Sequence, residues 1–145
     1  MPGIIVGVDG SAHSARALEF ALKEGTLQNA PVTVLAVHGV LASPWTGHPV
    51  ALSQDPAQLE RLRQAAEEMT LKATGELDEA RPPSVTVRAI NGFPAKELID
   101  ASRDADLVVI GSRGTGGFAR LMLGSVSDQV VHHAHCPVVE VPGER

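Results

Sequence analysis

Five short runs of β-branched and aliphatic residues punctuate this chain: Ile4 to Val8, Val32 to Val37, Val85 to Ile90, Leu107 to Ile110 and Val138 to Val141. Between them the apolar residues recur at helical spacing. This alternation constrains the fold more than any other feature. An apolar run that short reads as a strand buried on both faces, and a helix with one apolar stripe must lay that stripe on a partner. Ser11 stands where a helix N-cap would, and Ala15, Leu18, Ala21, Leu22 and Gly25 trace one stripe. Asp55-Pro56 is a strong helix start, followed by Leu59, Leu62, Ala66, Met69, Ala73 and Leu77. Gly92-Phe-Pro94 breaks the third strand before a short helix carrying Leu98, Ile99 and Ser102. A fourth helix is expected over Ser125 to His133, and Cys136-Pro137 marks the turn into the last strand. Strands alternating with helices predict an α/β fold: an open, mostly parallel five-stranded sheet with helices on both faces and right-handed crossovers. At 145 residues, 1–145 reads as one domain with a real core.

Ligands of such sheets sit beyond the carboxyl ends of the strands, where strand order reverses. The loops on that edge begin at Asp9, His38, Asn91 and Gly111, and are expected to line one crevice. Composition narrows what it can hold. A formal charge of −5 argues against a broad basic surface, so no nucleic-acid partner is expected. The single Cys136 excludes an internal disulfide framework and fits a reducing compartment. No apolar run approaches membrane-spanning length and no secretory signal pattern opens the chain, so a cytoplasmic protein without membrane partners is expected. One long irregular segment, Gly39 to Gln54, holds Pro44, Trp45, Gly47 and Pro49 and reads as a pocket wall or a surface connector.

The chemistry concentrates after the fourth strand, in Gly111-Ser112-Arg113-Gly114 and Gly124-Ser125-Val126-Ser127. A strand that opens into glycines and closes on a hydroxyl-capped helix builds an anion pocket from backbone N–H groups. Residues without a Cβ let the backbone approach a ligand closely, and Ser125 and Ser127 add hydroxyls beside the free N–H groups of the helix. Three or four hydrogen bonds to charged oxygens, at about 1.5–3 kcal/mol each, supply roughly the 8 kcal/mol of a micromolar complex before ordering costs. A phosphate-bearing ligand is the reading this segment supports.

With these residues in place, the chain resembles the universal stress proteins, UspA-like and in their ATP-binding branch. That branch carries glycine, two residues, glycine, nine residues, glycine, then serine or threonine, and Gly111, Gly114, Gly124 and Ser125 match it in full. The resemblance runs from Ile-Val-Gly-Val-Asp-Gly-Ser near the N-terminus to His-Cys-Pro-Val-Val-Glu-Val near the C-terminus. It implies a Rossmann-like sheet of the adenine nucleotide alpha hydrolase type, with strand order 3-2-1-4-5. It also implies a stress-response protein that binds ATP, or ADP, AMP or cAMP, with Mg²⁺ accompanying the nucleotide. By position, Val8, Asp9, Gly10 and Ser11 would end the first strand at the ribose or the metal, and the backbone around Val37 would meet the adenine. Ile110, Gly111, Ser112, Arg113, Gly114, Gly124, Ser125, Val126 and Ser127 would hold the phosphates. The proline- and glycine-bearing segment after the second strand departs from the family pattern, on the adenine side.

Asp9 can accept from ribose hydroxyls or join a Mg²⁺ shell, although an aspartate in Asp9-Gly10-Ser11 also serves a turn. Of the cations in the signature loop, Arg113, between the first two glycines, suits phosphate better than Arg120. His132, His133, His135 and Cys136 invite a metal reading, but only His132 and His135 have helical ligand spacing, so a helix-end and dimer-edge role is expected. The chain has no P-loop lysine motif, no Gly-x-Ser-x-Gly elbow and no Ser-Gly-Gly-x-Asp-Ser of the ATP pyrophosphatases. Binding with little turnover is the expectation, against a slow ATP-hydrolysing enzyme or a nucleotide-independent interaction protein. The short last strand, 138–141, leaves an edge that a second copy would pair, giving a homodimer.

Overall fold

In the computed structural model, which describes residues 3–9, 12–39, 41–42, 49–50, 56–111 and 126–142, a helix stands between each successive pair of strands of the main sheet. Strand β1 (Ile4–Val8) leads into helix α1 (Ala12–Gln28) and strand β2 (Val32–Gly39). Two short strands, β3 (Leu41–Ala42) and β4 (Pro49–Val50), precede helix α2 (Pro56–Gly75). Strand β5 (Val85–Gly92), helix α3 (Pro94–Ser102) and strand β6 (Leu107–Gly111) follow. A helix over 126–133, α4, and strand β7 (Val138–Val141) complete the order. The main sheet runs β5-β2-β1-β6-β7 with every pairing parallel, which is the 3-2-1-4-5 order counted over its five strands.

Two apolar layers hold the sheet between its helices. On the α1/α2 side, Ile4, Val6 and Val8 meet Leu18 and Leu22, with Val32, Val34 and Ala36 beside them. On the other side Leu35, Val108 and Ile110 pack with Leu98, Val126 and Val130. Burying one such Val or Leu side chain is worth roughly 1.5–3 kcal/mol, so these layers outweigh every polar contact described below. The alternation is sharper than the sequence suggested: β1 is fully buried on the α1/α2 side and only half-buried on the other. There α3 crosses close to Gly7, where an added Cβ would come within 3.1 Å of the Leu98 side chain.

Helix ends follow local chemistry. Helix α1 closes with Asn29 at φ 52°, and the Ala30 N–H donates to the Gly25 carbonyl at 2.9 Å. This is a Schellman-type stop with asparagine in the left-handed position. Helix α2 begins at Pro56, as the sequence signal required, but its stripe is shallower than expected. Only Ala66, Thr70 and Ala73 are buried, while Leu59, Leu62 and Met69 are half-covered and Leu77 lies beyond the helix. Strands β2 and β5 each run two residues past their apolar runs, since parallel pairing carries on through His38 with Asn91 and Gly39 with Gly92. Main-chain hydrogen bonds do not require apolar side chains. Within 39–54, β3 and β4 pair antiparallel, so that segment is not wholly irregular.

Candidate functional site

Parallel strands share one carboxyl edge, and along it the order reverses at β1, with β2 on one side and β6 on the other. Ligand crevices of open α/β sheets lie at such a reversal. Strand β1 ends there in Val8, 6% exposed, followed by Asp9 on the surface. Strand β6 ends in Ile110 and Gly111, both buried. Continuing the register that pairs Val6 with Val109 brings Val8 level with Gly111. On the far side, Val37 pairs with Ile90 near the end of β2 and contributes to the apolar layer under α3.

The chain returns through α4. Because β7 is parallel to β6, α4 runs back from the carboxyl edge, and its first turn is the part nearest the crevice. That turn holds Val126 and Ser127, both buried, with Val126 in one apolar cluster with Ile110 and Val130. The fold therefore gathers Val8, Asp9, Val37, Ile110, Gly111, Val126 and Ser127 toward one edge. Gly10, Ser11, Ser112, Arg113, Gly114, Gly124 and Ser125 lie outside the described residues, as does Arg120.

Further along the edge stand groups that apolar periodicity did not mark. Phe93 is the N-cap of α3, and the Glu97 carboxylate lies over Gly92. The only sequence signal was Gly92-Phe93-Pro94 itself, which reads as a strand break.

The opposite edge has a different character. Ser102, fully buried, donates from Oγ to the Ile99 carbonyl at 2.5 Å and accepts the His135 N–H at 2.9 Å. It thereby ties α3 to the turn before β7. His132 turns Nδ1 back to the Asp128 carbonyl oxygen at 2.7 Å, within its own helix. Among the described residues no three His, Cys, Asp or Glu side chains gather as a metal site. Half-buried Cys136 has its thiol pushed up, first by burial and then by the Asp106 carboxylate. On α3, Lys96 Nζ bonds Asp100 Oδ2 at 2.8 Å, which raises the lysine and lowers the aspartate.

The family model for the universal stress proteins matches residues 2–142. This chain belongs to the universal stress protein family. A universal stress protein of Mycolicibacterium smegmatis is 37% identical over 142 residues, covering 98% of this chain and 48% of that protein. This universal stress protein chain thus spans about half the length of the curated relatives it matches. Among solved structures, universal stress protein UspA from Lactobacillus plantarum is 24% identical with a TM-score of 0.73, covering 97% of each chain. A universal stress protein crystallised in complex with cAMP is 25% identical with a TM-score of 0.62, covering 97% of this chain and 95% of that one. Among the described residues, no helix is long and apolar enough to cross a membrane.

Proposed function

We propose that residues 1–145 form one universal stress protein domain that binds an adenine nucleotide, ATP in the first instance, in the crevice at the carboxyl edge. The observation that carries this reading is the meeting of β1 and β6 at the strand-order reversal, with the buried first turn of α4 beside them. The cAMP complex of a similar chain supports an adenine nucleotide as the ligand class.

In this reading the signature segment, Gly111 to Gly114 and Gly124 to Ser127, holds the phosphates through backbone N–H groups and the hydroxyls of Ser125 and Ser127. Arg113 adds charge. Asp9, a surface carboxylate ending a buried strand, suits ribose hydroxyls or an accompanying Mg²⁺. Val8, Gly10 and Ser11 complete that strand end, and the backbone at Val37 meets the base. Bound nucleotide adds contacts between two halves of the sheet, so occupancy stabilises the domain by mass action. The module works as a nucleotide-responsive dimer in the cytoplasm, pairing two copies along β7, whose Val138, Val139 and Val141 are half-buried at the sheet edge.

The experiment is a calorimetric titration of ATP with Mg²⁺ into nucleotide-stripped protein, paired with sedimentation of the same sample. One saturable site per chain and a two-chain mass are expected. Folded, stripped protein that takes up no adenine nucleotide refutes the reading, and a monomeric mass at micromolar concentration refutes the pairing. Steady phosphate release that is lost in Gly114→Val would replace binding with hydrolysis.

A further inference from the structure

Beyond the phosphate end of the crevice, the β5 end of the same edge carries an arrangement that helix-capping chemistry does not account for. Phe93 is the N-cap of α3, with extended backbone at φ −90° and ψ 116°, and its side chain makes no capping hydrogen bond. Serine, threonine, aspartate or asparagine is the residue that position favours. A phenylalanine there is 39% exposed, one of only three in a chain with one tryptophan and no tyrosine. Its main chain is firmly set, because its carbonyl accepts the Glu97 N–H at 2.9 Å and Pro94 follows it.

The second observation concerns Gly92 and Glu97. A Cβ built on Gly92 would lie 2.9 Å from Glu97 Oε1 and 3.1 Å from its Cγ. The carboxylate therefore lies close over the end of β5, in the space a side chain at residue 92 would fill. Among the described residues it accepts no hydrogen bond. Beside Gly92 in register stands Gly39, the last residue of β2, so the two strand ends form a floor without side chains. An exposed aromatic ring, a floor of main chain and a carboxylate acceptor lie within a few residues of one another, next to the end of β2 where the base is placed above.

From this juxtaposition we infer that Phe93 and Glu97 read the base of the bound nucleotide: the ring stacks on it and the carboxylate accepts from its exocyclic amine. The inference rests on the adenine-nucleotide reading and adds a basis for base selectivity. At the six-position adenine presents an amine donor, whereas guanine presents a carbonyl acceptor that a carboxylate placed there repels, guanine's own N1–H and two-amine donors lying on the next edge of its ring. Stacking on an aromatic side chain contributes to affinity with any base, so the ring sets strength and the carboxylate sets choice.

The test measures dissociation constants by calorimetry for ATP, GTP and inorganic tripolyphosphate, which has no base, against the wild type, Phe93→Ser, Phe93→Trp and Glu97→Gln. Phe93→Ser should weaken ATP about tenfold, leave tripolyphosphate unchanged and raise the melting temperature, because serine caps α3. Phe93→Trp should retain ATP affinity. Glu97→Gln, whose amide can also donate, should cut the ATP-over-GTP preference at least about fivefold with tripolyphosphate unmoved. Wild-type protein that binds ATP, with Phe93→Ser matching it in affinity, or an ATP-to-GTP ratio unchanged in Glu97→Gln, overturns this inference and leaves nucleotide binding standing. Wild-type protein that binds neither ATP nor tripolyphosphate overturns both together.

Discussion

The Ser102 hydroxyl offers a quantitative test of how the sheet edge is braced. Ser102 ends α3 and is fully buried; its Oγ donates to Ile99 and accepts from the His135 N–H, thirty-three residues away. Replacing it by alanine deletes two hydrogen bonds, each worth about 1 kcal/mol net. It also leaves the His135 N–H without its partner, at a cost that depends on how far water reaches the turn. Together these place the loss at about 2 kcal/mol for Ser102→Ala. For a chain of this size about 3 °C of melting temperature accompanies each kcal/mol, so a drop of roughly 5–8 °C is expected. The assay is urea unfolding alongside a thermal melt, with the midpoint falling at constant slope because the surface exposed on unfolding is unchanged. Amide exchange supplies the local readout: the His135 amide should lose protection beyond the global destabilisation. A melting temperature within about 1 °C of wild type, or His135 exchange that tracks only the global change, refutes the reasoning.

Three further outcomes follow from local packing and backbone geometry. Gly25→Ala, which in an isolated helix would gain about 1 kcal/mol, should instead destabilise by about 1–3 kcal/mol. The new Cβ would sit 2.5 Å from Val32 Cγ2 and 3.1 Å from the Ala30 carbonyl oxygen, and an unchanged or raised unfolding midpoint would contradict this. Asn29→Gly should stabilise by about 0.5–1 kcal/mol, since residue 29 holds φ 52° and glycine takes that region without Cβ strain; a lowered midpoint would count against it. Cys136 should alkylate with iodoacetamide at pH 8 more slowly than a free thiol, and Asp106→Asn should speed it, because burial and that carboxylate both hold the proton on sulfur. The folded protein binds this proton more tightly than the unfolded chain. Its contribution to stability is therefore full below the ordinary thiol value of about 8.5 and is lost as pH rises above it. Labelling as fast as a model thiol would refute the assignment.

Much of the architecture was legible because strands and helices in this chain are short, regular and separated by clear stops. β-branched runs supplied β1, β6 and β7 within a residue, and Pro56 marked the start of α2. The apolar runs understated β2 and β5, which extend through His38, Gly39, Asn91 and Gly92 on main-chain pairing alone. Polarity of a side chain reports burial, not backbone hydrogen bonding, so periodicity stops where burial stops. The glycine signature was likewise plain as spacing. It could not show that Phe93 and Glu97 stand at the same edge, since a helix N-cap and a first-turn carboxylate look local until the strand beside them is known.

The sequence by itself determined the succession of strands and helices, a sheet with helices on both faces and the concentration of glycines and hydroxyls after β6, because each depends on neighbours within about a dozen residues. The order of strands came only through family resemblance and is now seen in the pairing of β1 with both β2 and β6. Tertiary structure alone decided the tie from Ser102 to His135, the depth to which α2 sinks, and the seating of Glu97 over Gly92. These depend on distances between segments far apart in the chain or on the exact space left by a missing Cβ. Packing sets such distances only once the whole sheet has closed on its helices.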